Sequence, residues 1–313
     1  MKKKVILLSL ILLVFAAFFI QIPQQKTITI KGSFFNVYRV LVNPAKWEQW
    51  RPDLRKAFAA DSNKFSIKKD TGSFIIKDAN LELNVKSGDS FIINEHSDNG
   101  SISYSYVVMP DKNLNKTLIT AYKKISAISY LIGKLRPASF SDTHITDLKN
   151  FMETDSLLYG CRILKTKVPE SNLIVIDRLV LAKDKFSEAA KMLSTLQQYL
   201  KTHNVKQMQP LIAQFLTKGK DSAQLKVGIF IDKKVNSENE ITYNRMPKNG
   251  TFYVAGFEGK FNERQKVYLG LQQYFTNHLY QSALLPFETY LDNKLPTSDT
   301  DRVNVQVVFP SYF

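Results

Sequence analysis

Glu288 and Tyr290 stand two apart in Phe287-Glu-Thr-Tyr290. On a strand, residues two apart face the same side. A carboxylate beside an aromatic ring suits an organic cation, through charge pairing and attraction to the ring face. Tyr253 and Phe257 alternate on the preceding predicted strand and would add aromatic walls. The alternative is that Glu288 acts as general base in a hydrolase of small electrophilic compounds. No second catalytic partner accompanies it, so binding is favoured over turnover. His203 and His278 end two predicted helices without carboxylate company at fixed spacing. Helix-terminal placement accounts for both, and no metal is expected. Cys161 has no local Cys or His motif and reads as a small core residue. P-loop, GxGxxG, GxSxG and HExxH patterns do not occur, and no cofactor is expected.

The elements that must carry these residues form a repeat. Leu196-Gln-Gln-Tyr199 recurs as Leu271-Gln-Gln-Tyr274, an offset of 75, and at the same offset Phe186 maps on Phe261 and His203 on His278. Ser187 maps on Asn262, and both suit a helix N-cap. Pro210–Leu216 aligns with Pro286–Leu291 after a one-residue gap, and Asn172–Val180 parallels Thr251–Phe257. Each half is therefore strand, helix, strand, strand. Ala189, Met192, Leu193, Leu196 and Leu200 form an apolar stripe matched by Val267, Tyr268, Leu271 and Phe275. Two such halves join into one antiparallel sheet with both helices on one face, leaving the opposite face for a ligand. Where the second half has Glu288, the first has Ala213.

Residues 157–313 resemble the GyrI-like small-molecule-binding domain, also called the bacterial effector-binding domain. The resemblance rests on Val168-Pro-Glu170, Val227-Gly-Ile-Phe-Ile231, Met246-Pro247, Gly259-Lys-Phe261, Pro286-Phe-Glu-Thr-Tyr290 and the closing Val303–Pro310 strand. It implies binding of small, often cationic or aromatic compounds, with the family's glutamate at Glu288. Many members carry a DNA-binding domain in front; this chain has other sequence there.

Residues 25–156 begin with a strand at Thr27–Lys31 and a helical segment, Phe34–Trp50, broken at Pro44. Short alternating runs follow, separated by Asp70-Thr-Gly72, Ser87-Gly-Asp89 and Asp98-Asn-Gly100. A strand near Lys116–Lys123 and a helical segment ending at Glu153 complete the set. The order describes an α+β fold, an antiparallel sheet wrapped around a closing helix. Val37-Tyr-Arg-Val-Leu41, Asn43-Pro44, Trp47-Glu-Gln-Trp50 with Pro52, and Leu148-Lys-Asn-Phe-Met-Glu153 resemble the START-like (SRPBCC, polyketide cyclase-like) family. That resemblance implies an apolar cavity for a hydrophobic ligand and supplies no catalytic residue. The two tryptophans also suit plain core packing.

Residues 1–24 read as a signal-anchor. Lys2, Lys3 and Lys4 precede the uncharged run Val5–Ile20, and bulky residues stand where a signal peptidase prefers small ones. The lysines would stay in the cytoplasm and the rest lie outside it, in the periplasm of a Gram-negative cell; secretion after cleavage is the alternative. One Cys fits an oxidising compartment. The formal charge of +15 divides as +8 over residues 1–160 and +7 over 161–313, so no basic arm exists. Lys112–Arg136 holds six basic residues and no acid around the apolar Ile125–Ile132. It reads as a solvated face, or as an amphipathic element touching anionic lipid. No nucleic-acid-binding signature accompanies the charge.

Overall fold

The computed structural model describes residues 19–60, 65–78, 80–97, 100–113, 115–127, 130, 144–168, 172–246, 250–282 and 284–311. It divides into two units, the first ending at Leu158 and the second beginning at Tyr159, two residues past the expected boundary. Val5–Phe18 of the expected anchor lies outside the described residues. Among the described residues no helix is long and apolar enough to cross a membrane. Gln21–Gln24, expected inside the anchor, instead open a strand.

The first unit is built on a seven-stranded antiparallel sheet: β1 (Gln21–Lys31), β2 (Ser66–Asp70), β3 (Ser73–Lys77), β4 (Leu81–Ser87), β5 (Phe91–Ser97), β6 (Gly100–Pro110) and β7 (Lys116–Ser126). β2 to β7 form a meander, and β1 pairs with β7 from Gln21↔Ser126 to Lys31↔Lys116. The β2–β3 turn needs Gly72, whose φ is +70°. Between β1 and β2 lie α1 (Phe34–Leu41), α2 (Pro44–Trp50) and α3 (Pro52–Ala60). Ser33 caps α1, its hydroxyl accepting from the Asn36 N–H at 3.4 Å. Asn43 caps α2 by accepting from the Ala45 N–H at 3.2 Å, with Pro44 at the first helical position. The expected break at Pro44 is thus a helix stop followed by a new start.

Trp47 and Trp50 are core residues, their ring centroids 4.8 Å apart, and the Trp47 indole donates to the Leu41 carbonyl at 2.9 Å. Next to them Arg51 is fully buried, bonded to Asp53, to Glu95 at 3.0 Å and to the Tyr104 hydroxyl at 3.1 Å. The closing helix is α4 (Ile145–Glu153), which buries Ile145, Leu148 and Phe151 and accepts the Lys31 N–H on Glu153 at 2.8 Å. A short helix, α5 (Asp155–Leu158), follows. Of the basic stretch, Lys116, Lys123 and Lys124 lie on β7, while residues 131–143 lie outside the described residues.

The second unit is one eight-stranded sheet with two helices. Its first half is β9 (Asn172–Leu181), α6 (Lys185–Thr202), β10 (Ile212–Lys218) and β11 (Ser222–Ile231). Its second half is β13 (Thr251–Lys260), α7 (Gln265–His278), β14 (Phe287–Tyr290) and β15 (Arg302–Ser311). The expected strand–helix–strand–strand order is present twice. β8 (Leu164–Lys167) and β12 (Thr242–Arg245) lie at the edges, and the sheet order is β12-β9-β11-β10-β14-β15-β13-β8. The halves meet at β10 and β14 through Ile212↔Thr289 and Ala213↔Glu288. Ala213 and Glu288 also pair with Val227 and Val307, the same position in each half.

Both helices lie on one face, as expected. Ala189, Met192 and Leu196 of α6, and Val267, Leu271 and Phe275 of α7, are buried. The N-caps differ from expectation: the chain enters each helix through a 3₁₀ turn, Ala182–Asp184 or Phe261–Arg264. That turn makes Asp184 and Arg264 the cap residues instead of Ser187 and Asn262.

Candidate functional site

The four expected site residues share one face of the sheet. Tyr290 pairs with Val305, which pairs with Phe257; Glu288 pairs with Val307, and Tyr253 with Phe309. Alternation along β15 puts Val305, Val307 and Phe309 on the same side. That side carries the helices: Phe309 lies 5.3 Å from Phe275 and Tyr253 5.1 Å from Phe275, centroid to centroid. Glu288 therefore lies on the helix-bearing face and not on the opposite face expected to be left for a ligand. Spacing of two fixes which residues share a side, but only the register shows which side it is.

Glu288 is completely buried. Its Oε1 accepts from Arg264 Nε and from the Tyr268 hydroxyl at 2.9 Å, and its Oε2 from the Tyr290 hydroxyl. Arg264 also donates to the Phe261 carbonyl at 2.8 Å, and its guanidinium carbon sits 3.3 Å from the centroid of the Phe261 ring. With a side chain only 11% exposed, it is a nearly enclosed cation held by a carboxylate and an aromatic face. Burial, and after it the charge of Glu288, pushes the Tyr268 and Tyr290 phenols well above their ordinary pKa. Both therefore remain donors across the physiological range.

Phe261 lies 5.3 Å from its repeat mate Phe186 and 5.2 Å from Phe215. The site thus occupies the pseudo-twofold axis. The sequence singles out Glu288 and Tyr290 but not Arg264 or, as a polar group, Tyr268. Carrying the offset of 75 one step further finds them. Arg264, Tyr268, Glu288 and Tyr290 stand where the first half has Ala189, Leu193, Ala213 and Phe215. One half is apolar at all four positions, and the other places a connected polar group at all four.

Tyr253 and Phe257 do not join this network. Tyr253 belongs to an aromatic cluster with Tyr274 (5.5 Å), Phe275 and Tyr280 (5.0 Å). Phe257 has Lys266 Nζ 5.2 Å from its ring centroid. The histidines behave as repeat mates. His203 Nδ1 meets the Tyr199 carbonyl at 3.0 Å and His278 Nδ1 the Tyr274 carbonyl at 2.8 Å, each ring stacked at 4.0 Å on that tyrosine. Both rings lie at helix ends, and His203 Nε2 also meets Glu238 Oε2 at 3.2 Å. Cys161 is buried against α7 beside Gly270.

The opposite face of the sheet holds a cavity of about 460 Å³. Its floor is Leu173, Val175, Ile212 and Phe287, which alternate with the residues beneath the helices. The expected ligand face and the expected ligand residues are both present, on different sides of the sheet.

No family model matches the chain, and no curated protein matches it. Among solved structures it is similar to the EcmrR C-terminal domain at 16% identity, covering 48% of this chain and 96% of that one with a TM-score of 0.39. A hydrolase from Listeria innocua gives 13%, 48%, 91% and 0.34. The di-domain ARO/CYC StfQ from the steffimycin biosynthetic pathway gives 9%, 92%, 84% and 0.29. At these identities and scores the likenesses assign neither family nor activity to the chain.

Proposed function

We propose that the second unit is a small-molecule-binding module whose Glu288 recognises an organic cation. The observation that supports this is the enclosed Arg264 guanidinium, which already fills the role such a ligand would take. The carboxylate accepts it on one side while the Phe261 ring supports it on the other. An external cation binds by replacing Arg264, whose side chain leads from the 3₁₀ turn before α7. Burying a carboxylate is costly unless it is paired, so the site holds its own cation until a better one arrives. The hydrolase alternative is less well supported, because the Glu288 oxygens already accept from three donors and offer no clear path for taking a proton from water.

The test is fluorescence titration of the full chain with ethidium, an aromatic cation. Arg264→Ala vacates the position and should bind at least about tenfold more tightly than wild type. Glu288→Gln, nearly isosteric and uncharged, should lose the interaction. Equal affinity in wild type and Arg264→Ala would refute replacement.

For the first unit we propose a hydrophobic ligand, on the START-like resemblance of Trp47–Trp50 and Leu148–Glu153. Native mass spectrometry showing a co-purifying apolar molecule would support it, and a ligand-free mass would count against it. We further propose that Lys2–Ile20 anchors the chain with both units on the extracytoplasmic side. Protease accessibility in spheroplasts tests the orientation, and an N-terminus beginning after residue 20 would establish cleavage and secretion instead.

A further inference from the structure

We propose that the cavity on the outer face of the second unit's sheet is a separate binding site for an amphiphilic organic anion, an apolar body carrying one acidic group. Its volume of about 460 Å³ suits a small molecule, since ligand pockets fall at roughly 300–1,000 Å³. The floor is apolar and almost wholly buried. Above it Leu284 and Leu285 line the same cavity while remaining 45% and 61% exposed. An apolar molecule seated there packs on that floor and covers the two exposed leucines.

Charge selects the head group. Lys226 and Arg245 line the cavity, and no carboxylate does. Lys226 is held by Asp177 at 3.1 Å, which fixes its position and offsets part of its charge. Arg245 ends the edge strand β12, beside Asn244, which pairs with Leu173 of the floor. Gln214 Nε2 donates to the Pro286 carbonyl at 2.5 Å and so ties β10 to the segment carrying Leu284 and Leu285. This chemistry is the reverse of the Glu288 site, which presents a carboxylate on the helix-bearing face. One sheet would bind a cation on one side and an anion on the other.

The test compares two probes with one ring system on the full chain: 1-anilinonaphthalene-8-sulfonate, which is anionic, and N-phenyl-1-naphthylamine, which is neutral. Asn244→Trp fills the mouth from an exposed position and should weaken both probes at least about tenfold. Leu285→Trp repeats the block from the other rim, so a folding defect in one variant does not decide the result. Arg245→Gln should weaken only the sulfonate, by roughly two- to fivefold, the size of a rim ion pair. Unchanged binding in both tryptophan variants would overturn the site. Equal effects of Arg245→Gln on the two probes would overturn the anion.

Discussion

Glu288→Ala removes the centre of a buried polar group. The substitution leaves Arg264 as a cation 11% exposed with no carboxylate, and deprives the Tyr268 and Tyr290 hydroxyls of their acceptor. Breaking a buried pair by deleting one partner costs about 3–5 kcal/mol, which already includes much of the stranded donors' penalty. For a unit of this size m in urea is about 2 kcal/mol/M, so the unfolding midpoint should fall by about 1.5–2.5 M. Replacing all four polar residues by their repeat mates should behave differently. Arg264→Ala, Tyr268→Leu, Glu288→Ala and Tyr290→Phe together strand no donor and no charge, leaving only the cavity created by smaller side chains. That variant should recover at least half of the loss seen with Glu288→Ala alone. The assay is urea unfolding of the full chain followed by far-ultraviolet circular dichroism, with tryptophan emission as a second probe. Both tryptophans, Trp47 and Trp50, lie in the first unit, so the loss should fall in the transition that tryptophan emission does not report. A midpoint shift below about 0.5 M for Glu288→Ala would refute the reasoning, because it would mean that Glu288 is solvated.

Arg51→Leu should destabilise the first unit by about 3–5 kcal/mol and be read directly in tryptophan emission, since Glu95 and Tyr104 lose their buried cation next to Trp50. Gly270→Ala should cost about 1–3 kcal/mol by thermal melting, because a Cβ there would clash with the Tyr159 carbonyl oxygen; Thr195, at the equivalent place in α6, should accept alanine within about 0.5 kcal/mol. Asp301, bonded to Ser298 and to Thr297, has its pKa lowered to about 2. A depressed folded pKa means stability that is fully present above the unfolded value near 3.9 and lost as pH falls toward 2. Melting temperatures across that window should fall with acid for wild type and fall less for Asp301→Asn.

Much of the architecture was legible because the relevant signals are local. The break at Asn43-Pro44, the turns at Gly72 and Gly88, and the repeated Leu-Gln-Gln-Tyr each act within a few residues of chain. The orientation of Glu288 was not legible for the opposite reason. Alternation says that Glu288 and Tyr290 share a side, whereas the side itself follows from pairing with Val307, far along the chain. The expected caps failed through a similar competition: Ser187 has the right chemistry, but the 3₁₀ turn Ala182–Asp184 starts the helix earlier and the Ser187 hydroxyl donates to the Asp184 carbonyl instead.

The asymmetry of the repeat has a physical cause that the sheet register makes plain. Ala213 and Glu288 are repeat mates, and they are also direct cross-strand partners where the halves join. A symmetric sequence would set two glutamates against each other there, at the 4.5–5.5 Å typical of opposed side chains. Two carboxylates that close and that buried cannot both ionise. A charge at this axis therefore has to be carried by one half only, and its partners must follow it. Arg264 and Tyr268 enter from the same half as Glu288, while Ala189 and Leu193 stay apolar opposite them. On this argument the position of the break is dictated: away from the axis a duplicated charge is harmless, and Glu188 and Glu263, repeat mates in the first turn of helix after Phe186 and Phe261, are both retained. Introducing the second carboxylate as Ala213→Glu should consequently destabilise the second unit more at pH 8 than at pH 5, as measured by urea midpoint; an equal loss at both would show that space, not charge, keeps alanine there.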